Sequence, residues 1–267
     1  MPGFGLSMGF TLLYLSLIVL IPLSAVFVKS ATGGWLAFWE AATSERAIAA
    51  YRVSFGAAAI AAAVNSVFGL LVAWVLVRYD FPLKRLVNAF VDLPFALPTA
   101  VAGIALTAIY ADTGWVGHPL APFGIKIAYH FEGIVAALVF IGLPFIVRTV
   151  EPVLAQMGKE QEEVAATLGA SRWQIFSRVV LPTIAPTLAT GASLAFARGV
   201  GEYGSVIFIA GNMPYHTEIA PLLIITELEQ YDYAGATSIA AVMLIVSFAM
   251  LLLLNGLQSW QRRRVTI

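Results

Sequence analysis

The 267-residue chain contains no cysteine. Disulfides, thiol nucleophiles and thiolate metal sites are therefore excluded. Charge is also scarce: Asp, Glu, Lys and Arg make up 11% of residues, and the formal net charge is zero. A soluble domain carries roughly 25% charged residues, and a nucleic-acid binder shows a basic field; neither description fits. A phosphate-binding P-loop is missing as well. The one Gly-Lys pair, Gly158-Lys159, has Val153 where the first glycine is needed and Glu160 where Ser or Thr is needed. His118, His130 and His216 stand apart, with no metal-ligand spacing among them. No Ser-His, His-Glu or Asp-Asp pair lies together in an apolar segment, which argues against an intramembrane enzyme. The opening "MPGFGLS" lacks the basic start of a signal peptide. The apolar run behind it, Met8–Val28, exceeds the roughly 7–15 residues of such a peptide's core.

What the chain has in quantity is apolar surface, with 60% hydrophobic residues and a mean hydropathy of +0.87. A bilayer core takes about 20 apolar residues as helix. Six segments qualify: Met8–Val28, Ser54–Val77, Val91–Tyr110, Gly133–Leu154, Thr183–Ile209 and Ala236–Trp260. The expected fold is all-α, one polytopic membrane domain over 1–267 with six transmembrane helices. Pro94, Pro98, Pro144 and Pro186 fall in or beside these spans, where neighbouring helices must satisfy the freed carbonyls.

Basic residues set the direction. Arg78, Lys84 and Arg85 lie in one loop, Lys159, Arg172 and Arg178 in another, and Arg262, Arg263 and Arg264 in the tail. The 112–132 loop has only Lys126, and the 210–235 loop has no Lys or Arg. Lys29, Arg46 and Arg52 after the first span run against the trend. The balance predicts a multi-pass protein with both termini in the cytoplasm. The tail arginines are then a topology anchor against acidic headgroups.

The 155–182 loop is thereby cytoplasmic. Glu160–Leu168 reads as a short helix, with Glu160, Glu162 and Glu163 at its positive end. Gly169 suits a stop, and Ser171 with Gln174 has capping-box spacing for a second helix. Trp173, Phe176 and Val180 share a face, and Pro182 is expected to end the unit and start the next span. On residues alone it is either a connector lying on the membrane or a docking surface of carboxylates and small side chains.

Glu163-Val164-Ala165, three residues, Gly169, nine residues and Val179-Val180-Leu181-Pro182 resembles the EAA loop of ABC importer permeases. Val164 and Val179 replace that pattern's Ala and Ile. "DLPFALPTAVAGIAL" (Asp92–Leu106) and "FARGVGEYGSVIFIAGN" (Phe196–Asn212) resemble the permeases of sulfate/thiosulfate importers, over Leu12–Gln258. Molybdate/tungstate permeases share the loop and a similar Gly-Glu-aromatic-Gly stretch. The resemblance implies a type I ABC importer permease fold and alternating access in the inner membrane. The implied partners are a second homologous permease subunit, two ABC ATPase subunits that use ATP and Mg, and a periplasmic sulfate-binding protein. It implies no cofactor bound by this chain. It gives the insert an ATPase-coupling role through Glu163, Ala165, Gly169, Leu181 and Pro182. A gradient-driven anion transporter is the rival from another class.

Arg198 and Glu202, four apart in the fifth span, either line or gate the anion path or form a buried pair that fixes packing. Gly199, Gly201 and Gly204 allow close backbone approach. Pro94, Pro98 and Thr99 either break the third span toward the pathway or make a packed kink. Arg148, near Glu151 at the inner end of the fourth span, is expected to snorkel to the interface. Glu218, Glu227, Glu229 and Asp232 either contact a binding protein or solvate an outer loop, and the second is the expectation.

Overall fold

A computed structural model describes residues 3–265, except the side chains of 254, 255 and 257–265. The anchor assigned to Arg262, Arg263 and Arg264 falls outside the described side chains. The elements are helices: α1 Phe4–Ala31, α2 Gly34–Ala42, α3 Glu45–Arg78, α4 Lys84–Ala96, α5 Thr99–Tyr110, α6 Gly117–Leu120, α7 Phe131–Met157, α8 Glu160–Thr167, α9 Arg172–Val200, α10 Val206–Ile209, α11 Ala220–Glu229 and α12 Tyr233–Val265. Among the described residues there is no strand. Five helices are long and apolar enough to span a membrane, and α4 with α5 forms a sixth, bent by 116°.

The core is the triple packing of α3, α7 and α9. Alanine fills much of α3, giving high helix propensity and a thin side through which other backbones approach. Ser44 starts it, its Oγ accepting from the Ala47 amide at 3.2 Å. Glycines record the register. A methyl at Gly69 would stand 2.8 Å from Ile146, Gly142 lies against Asn65, and Gly199 meets Ala58 and Leu138. Numbers rise together along α3 and α7 and fall along α9, so α3 and α7 are parallel and α9 opposes both. Buried Asn65 ties the first two together, donating from Nδ2 to the Val139 carbonyl at 3.1 Å.

This register means that α4–α5 must return the chain from the end of α3 to the start of α7. The end of α1 meets the start of α12, with Lys29 over the Tyr233 ring at 6.0 Å. The first residues of α1 and the last of α12 therefore lie on the same side as the 155–182 insert. Most of α1 is exposed to the surroundings, a stable arrangement where the surroundings are lipid.

Three boundaries differ from expectation. The third span is a true break: Leu97 is extended (ψ 136°), as the residue before a proline prefers, and Pro98 starts a new helix. Pro182 starts the next span as expected, in the first turn of Leu181–Val200, but without a break from the insert, so that one helix runs from Arg172 to Val200. A π-type turn at Phe176–Val180 precedes Pro182, as Ser16–Leu20 precedes Pro22 in α1. Widened turns absorb a proline's missing N–H and its ring. Finally, the fifth span stops at Val200, so Glu202 lies beyond the helix.

At the end far from the insert, the 201–220 segment is stitched down. The Tyr129 amide donates to Ile209 O at 2.7 Å, and the Ala220 amide donates to Ser54 Oγ at 2.8 Å. Glu218 is not a solvated loop acid. It is buried, and Arg46 donates to both its oxygens at 2.7 and 2.6 Å. Arg46→Ala strands that carboxylate and is expected to cost about 2 kcal/mol. Glu218→Gln, which keeps an acceptor, is expected to cost less. Thermal melts of the purified chain check the order; equal midpoints would mean that the buried carboxylate is not the sensitive partner.

Candidate functional site

The insert follows from local chemistry. Three glutamates occupy the first turn of α8. Gly169, at φ 84°, ends it, its amide donating to Ala166 O at 3.0 Å while the Ala170 amide donates to Ala165 O at 3.1 Å. That φ is cheap only for glycine. The Ser171 amide then donates to Gln174 Oε1 at 2.8 Å and the Gln174 amide to Ser171 Oγ at 3.3 Å, a complete capping box.

Its two sides differ. Glu162 turns inward and accepts from the Arg78 guanidinium, which also lies 5.5 Å from the Trp74 ring. Phe176 meets Trp74 edge-on at 6.0 Å, and Val180 is fully buried. Ala165, on α8 itself, is half-buried, and Leu181 is half-buried while Pro182 is exposed. Glu163 faces out with Val164, Leu168 and Trp173, the last two 83% and 72% exposed. This exposed face mixes one carboxylate with apolar side chains. Nearby, exposed Asp80 accepts from Lys84 Nζ at 2.9 Å, which holds its carboxyl below the usual range.

The broken spans meet each other. Gly204 lies against the Thr99 side chain and Gly103 against the Ser205 backbone; at either position a side chain would collide. Glu202 Oε1 accepts from the Ser205 amide and hydroxyl at 2.9 and 3.0 Å. Its other oxygen pairs with Arg198 at 2.6 Å. The Glu202 side chain is 2% exposed and that of Arg198 38%. The pair predicted from spacing is therefore real but asymmetric: the carboxylate holds the break, and the guanidinium reaches an open face. Thr99 joins this cluster; Pro98 caps α5, and Pro94 stands inside α4, one turn before the break.

Arg148 does not snorkel. All five of its donors are used: Nε and one terminal nitrogen donate to Asp92 at 2.7 and 2.6 Å. The remaining bonds reach Asn88 Oδ1 at 2.8 Å, Asn88 O at 3.0 Å and Glu151 at 2.6 Å. It clamps α4, the helix before the break, to α7, the helix that leads into the insert. The readable signals were Asn88 and Asp92 four apart, and Arg148 and Glu151 three apart, on facing elements; sequence alone does not pair them. Among the described residues no three metal-ligating side chains converge.

Six membrane crossings, one of them broken, with a helical insert beside the last turns of the core define a multi-span importer permease. The family described as the inner membrane component of binding-protein-dependent transport systems matches residues 65–267, and the chain belongs to it. It is 53% identical to the sulfate transport system permease protein CysT of Synechococcus elongatus, over 96% of this chain and 92% of that one. Identity to the Escherichia coli protein of the same name is 49%, over 99% and 96% of the two chains. The fold matches a chain of a bacterial alginate ABC transporter, solved in complex with an alginate pentasaccharide-bound periplasmic protein. The TM-score there is 0.77 at 20% identity, covering 97% and 93% of the chains. The protein is thus a multi-pass transport component of the inner membrane, not an enzyme.

Arg148→Lys keeps the charge but cannot make the two-pronged contact with Asp92. Each charge-assisted bond lost is expected to cost about 1.5–3 kcal/mol. Hydrogen exchange should then speed up in Asn88–Asp92 while the α3 and α7 core stays protected. Unchanged exchange in α4 would show that the clamp does not hold it.

Proposed function

We propose that this chain is the sulfate-conducting permease subunit of an ATP-driven importer, with thiosulfate as a second substrate. The observation that carries the substrate is the near full-length similarity to two proteins named as sulfate permeases. In this reading a second homologous permease completes the pathway. Two ABC ATPase subunits, using ATP and Mg, dock on the exposed face of α8, and a periplasmic binding protein delivers the anion. The single permease domain spans the whole chain, with residues 155–182 as its coupling loop. The insert and both termini face the cytoplasm, as the clustering of Arg78, Lys84, Arg85, Lys159, Arg172 and Arg178 at one end favours.

Coupling runs by alternating access. Closure of the ATPase dimer pulls on α8 through Glu163, with Gly169 and the Ala165 face setting its position. Leu181 and Pro182 pass the displacement along the continuous helix α9 that contains them. At the far end of α9, Arg198 offers a cation to a passing dianion. Glu202 has already neutralised most of that charge, so the anion is guided rather than trapped.

Radiolabelled sulfate uptake in cells lacking and then regaining the chain tests the substrate. Loss and rescue, little inhibited by molybdate, is the expected result; uptake unaffected by deletion, in cells with no other importer, would overturn it. Glu163→Lys reverses the docking charge and is expected to reduce uptake about tenfold or more with insertion intact. Full transport in that variant would sink the docking role. Arg198→Ala is expected to lower uptake more than assembly; equal loss of both would reduce Arg198 to a packing residue.

A further inference from the structure

Behind α8, on the side away from its exposed face, lies a pocket of about 330 Å³ lined by Arg78, Lys159, Arg172, Glu162, Trp74 and Phe176 among others. Three cations face one carboxylate there. That carboxylate, Glu162, is already engaged by Arg78. Lys159 and Arg172 enter no ion pair among the described residues. The Arg78 side chain is only 8% exposed, and its Nε is buried without an acceptor. A buried charged donor left unpaired is costly and rare.

Like charges gathered in a half-closed space are relieved by an anion. Guanidinium groups suit tetrahedral oxyanions because their donors are set in a planar fork. The indole and phenyl walls raise the strength of such contacts by excluding water on two sides. We propose that this pocket binds a tetrahedral oxyanion, a phosphate or sulfate group, through Arg78, Lys159 and Arg172. The group is either free in solution or carried on a lipid headgroup. The site is separate from any translocation path and does not depend on which anion is carried. An oxyanion here competes with Glu162 for Arg78. Occupancy therefore loosens or shifts α8 relative to the end of α3, directly beneath the surface proposed to meet the ATPase.

Trp74 in the pocket wall is the built-in reporter. The assembled transporter, in nanodiscs of neutral phosphatidylcholine, is titrated with sodium phosphate and with sodium sulfate against sodium chloride at fixed ionic strength. The difference in emission between the unmodified protein and a Trp74→Phe variant isolates the pocket. The expected result is a saturable change with both oxyanions and none with chloride. Its midpoint should rise about tenfold or more in Arg172→Ala and in Lys159→Ala. A saturating change that appears only as phosphatidylglycerol is added to the nanodiscs assigns the site to the headgroup phosphate. No saturable Trp74 signal with either free oxyanion or with phosphatidylglycerol overturns the proposal. So do midpoints unchanged in both variants.

Discussion

In a bilayer no water is available to satisfy a backbone N–H or C=O, and an unpaired group costs several kcal/mol. Regular helix meets that demand by itself; a break does not. This chain breaks twice within the membrane region, at 97–98 and at 201–205. The two breaks are placed against each other, with Gly103 on Ser205 and Gly204 on Thr99. Glu202 supplies acceptors to the second break from its own side chain. Glu202 and Ser205 of the second break are buried, so its freed donors are satisfied within the protein. The glycines that look like generic packing residues are what let the two breaks come that close.

The same economy governs charge. Several ionisable groups in the helical bundle are tied into defined partners: Arg148 with Asp92 and Glu151, Arg198 with Glu202, Arg46 with Glu218. These contacts do different things. Arg46 and Glu218 pin an otherwise loose segment at the far end. Arg148 joins two helices that lead in opposite directions, one to the break and one to the insert. A displacement of the insert thus meets a stiff link toward the broken span through α7, and a second one through α9, which is unbroken from Arg172 to Val200. Both are physical connections rather than demonstrated routes of coupling.

Much of this was legible in order. Twenty-residue apolar runs announce themselves, and four of the six expected spans are continuous helices, the third and the fifth being interrupted. The capping box at Ser171 and the glycine stop at Gly169 follow from local rules that hold wherever the helix sits. Errors fell where the outcome depends on a partner far along the chain. Glu218 looked like a solvated loop acid because Arg46 lies 172 residues away. Arg148 looked like a snorkelling cation because Asn88 and Asp92 lie on a separate helix. Pro182 was read as both the end of the insert and the start of the span, and local rules do not reveal that a widened turn would join the two into one helix.

The sequence by itself determined the solvent, the number of crossings, the shared side of the termini and the insert, and the insert's helix–glycine–helix form. Each rests on composition or on contacts within a few residues. Tertiary structure alone decided the 116° turn of the third span, the meeting of the two breaks and the pairing of charges. It also decided which side of α8 is free and which covers the basic pocket. Those features depend on where residues distant in the chain come to lie, and the register of α3, α7 and α9 sets that through close packing of glycine and alanine, a matter of shape that no local pattern encodes.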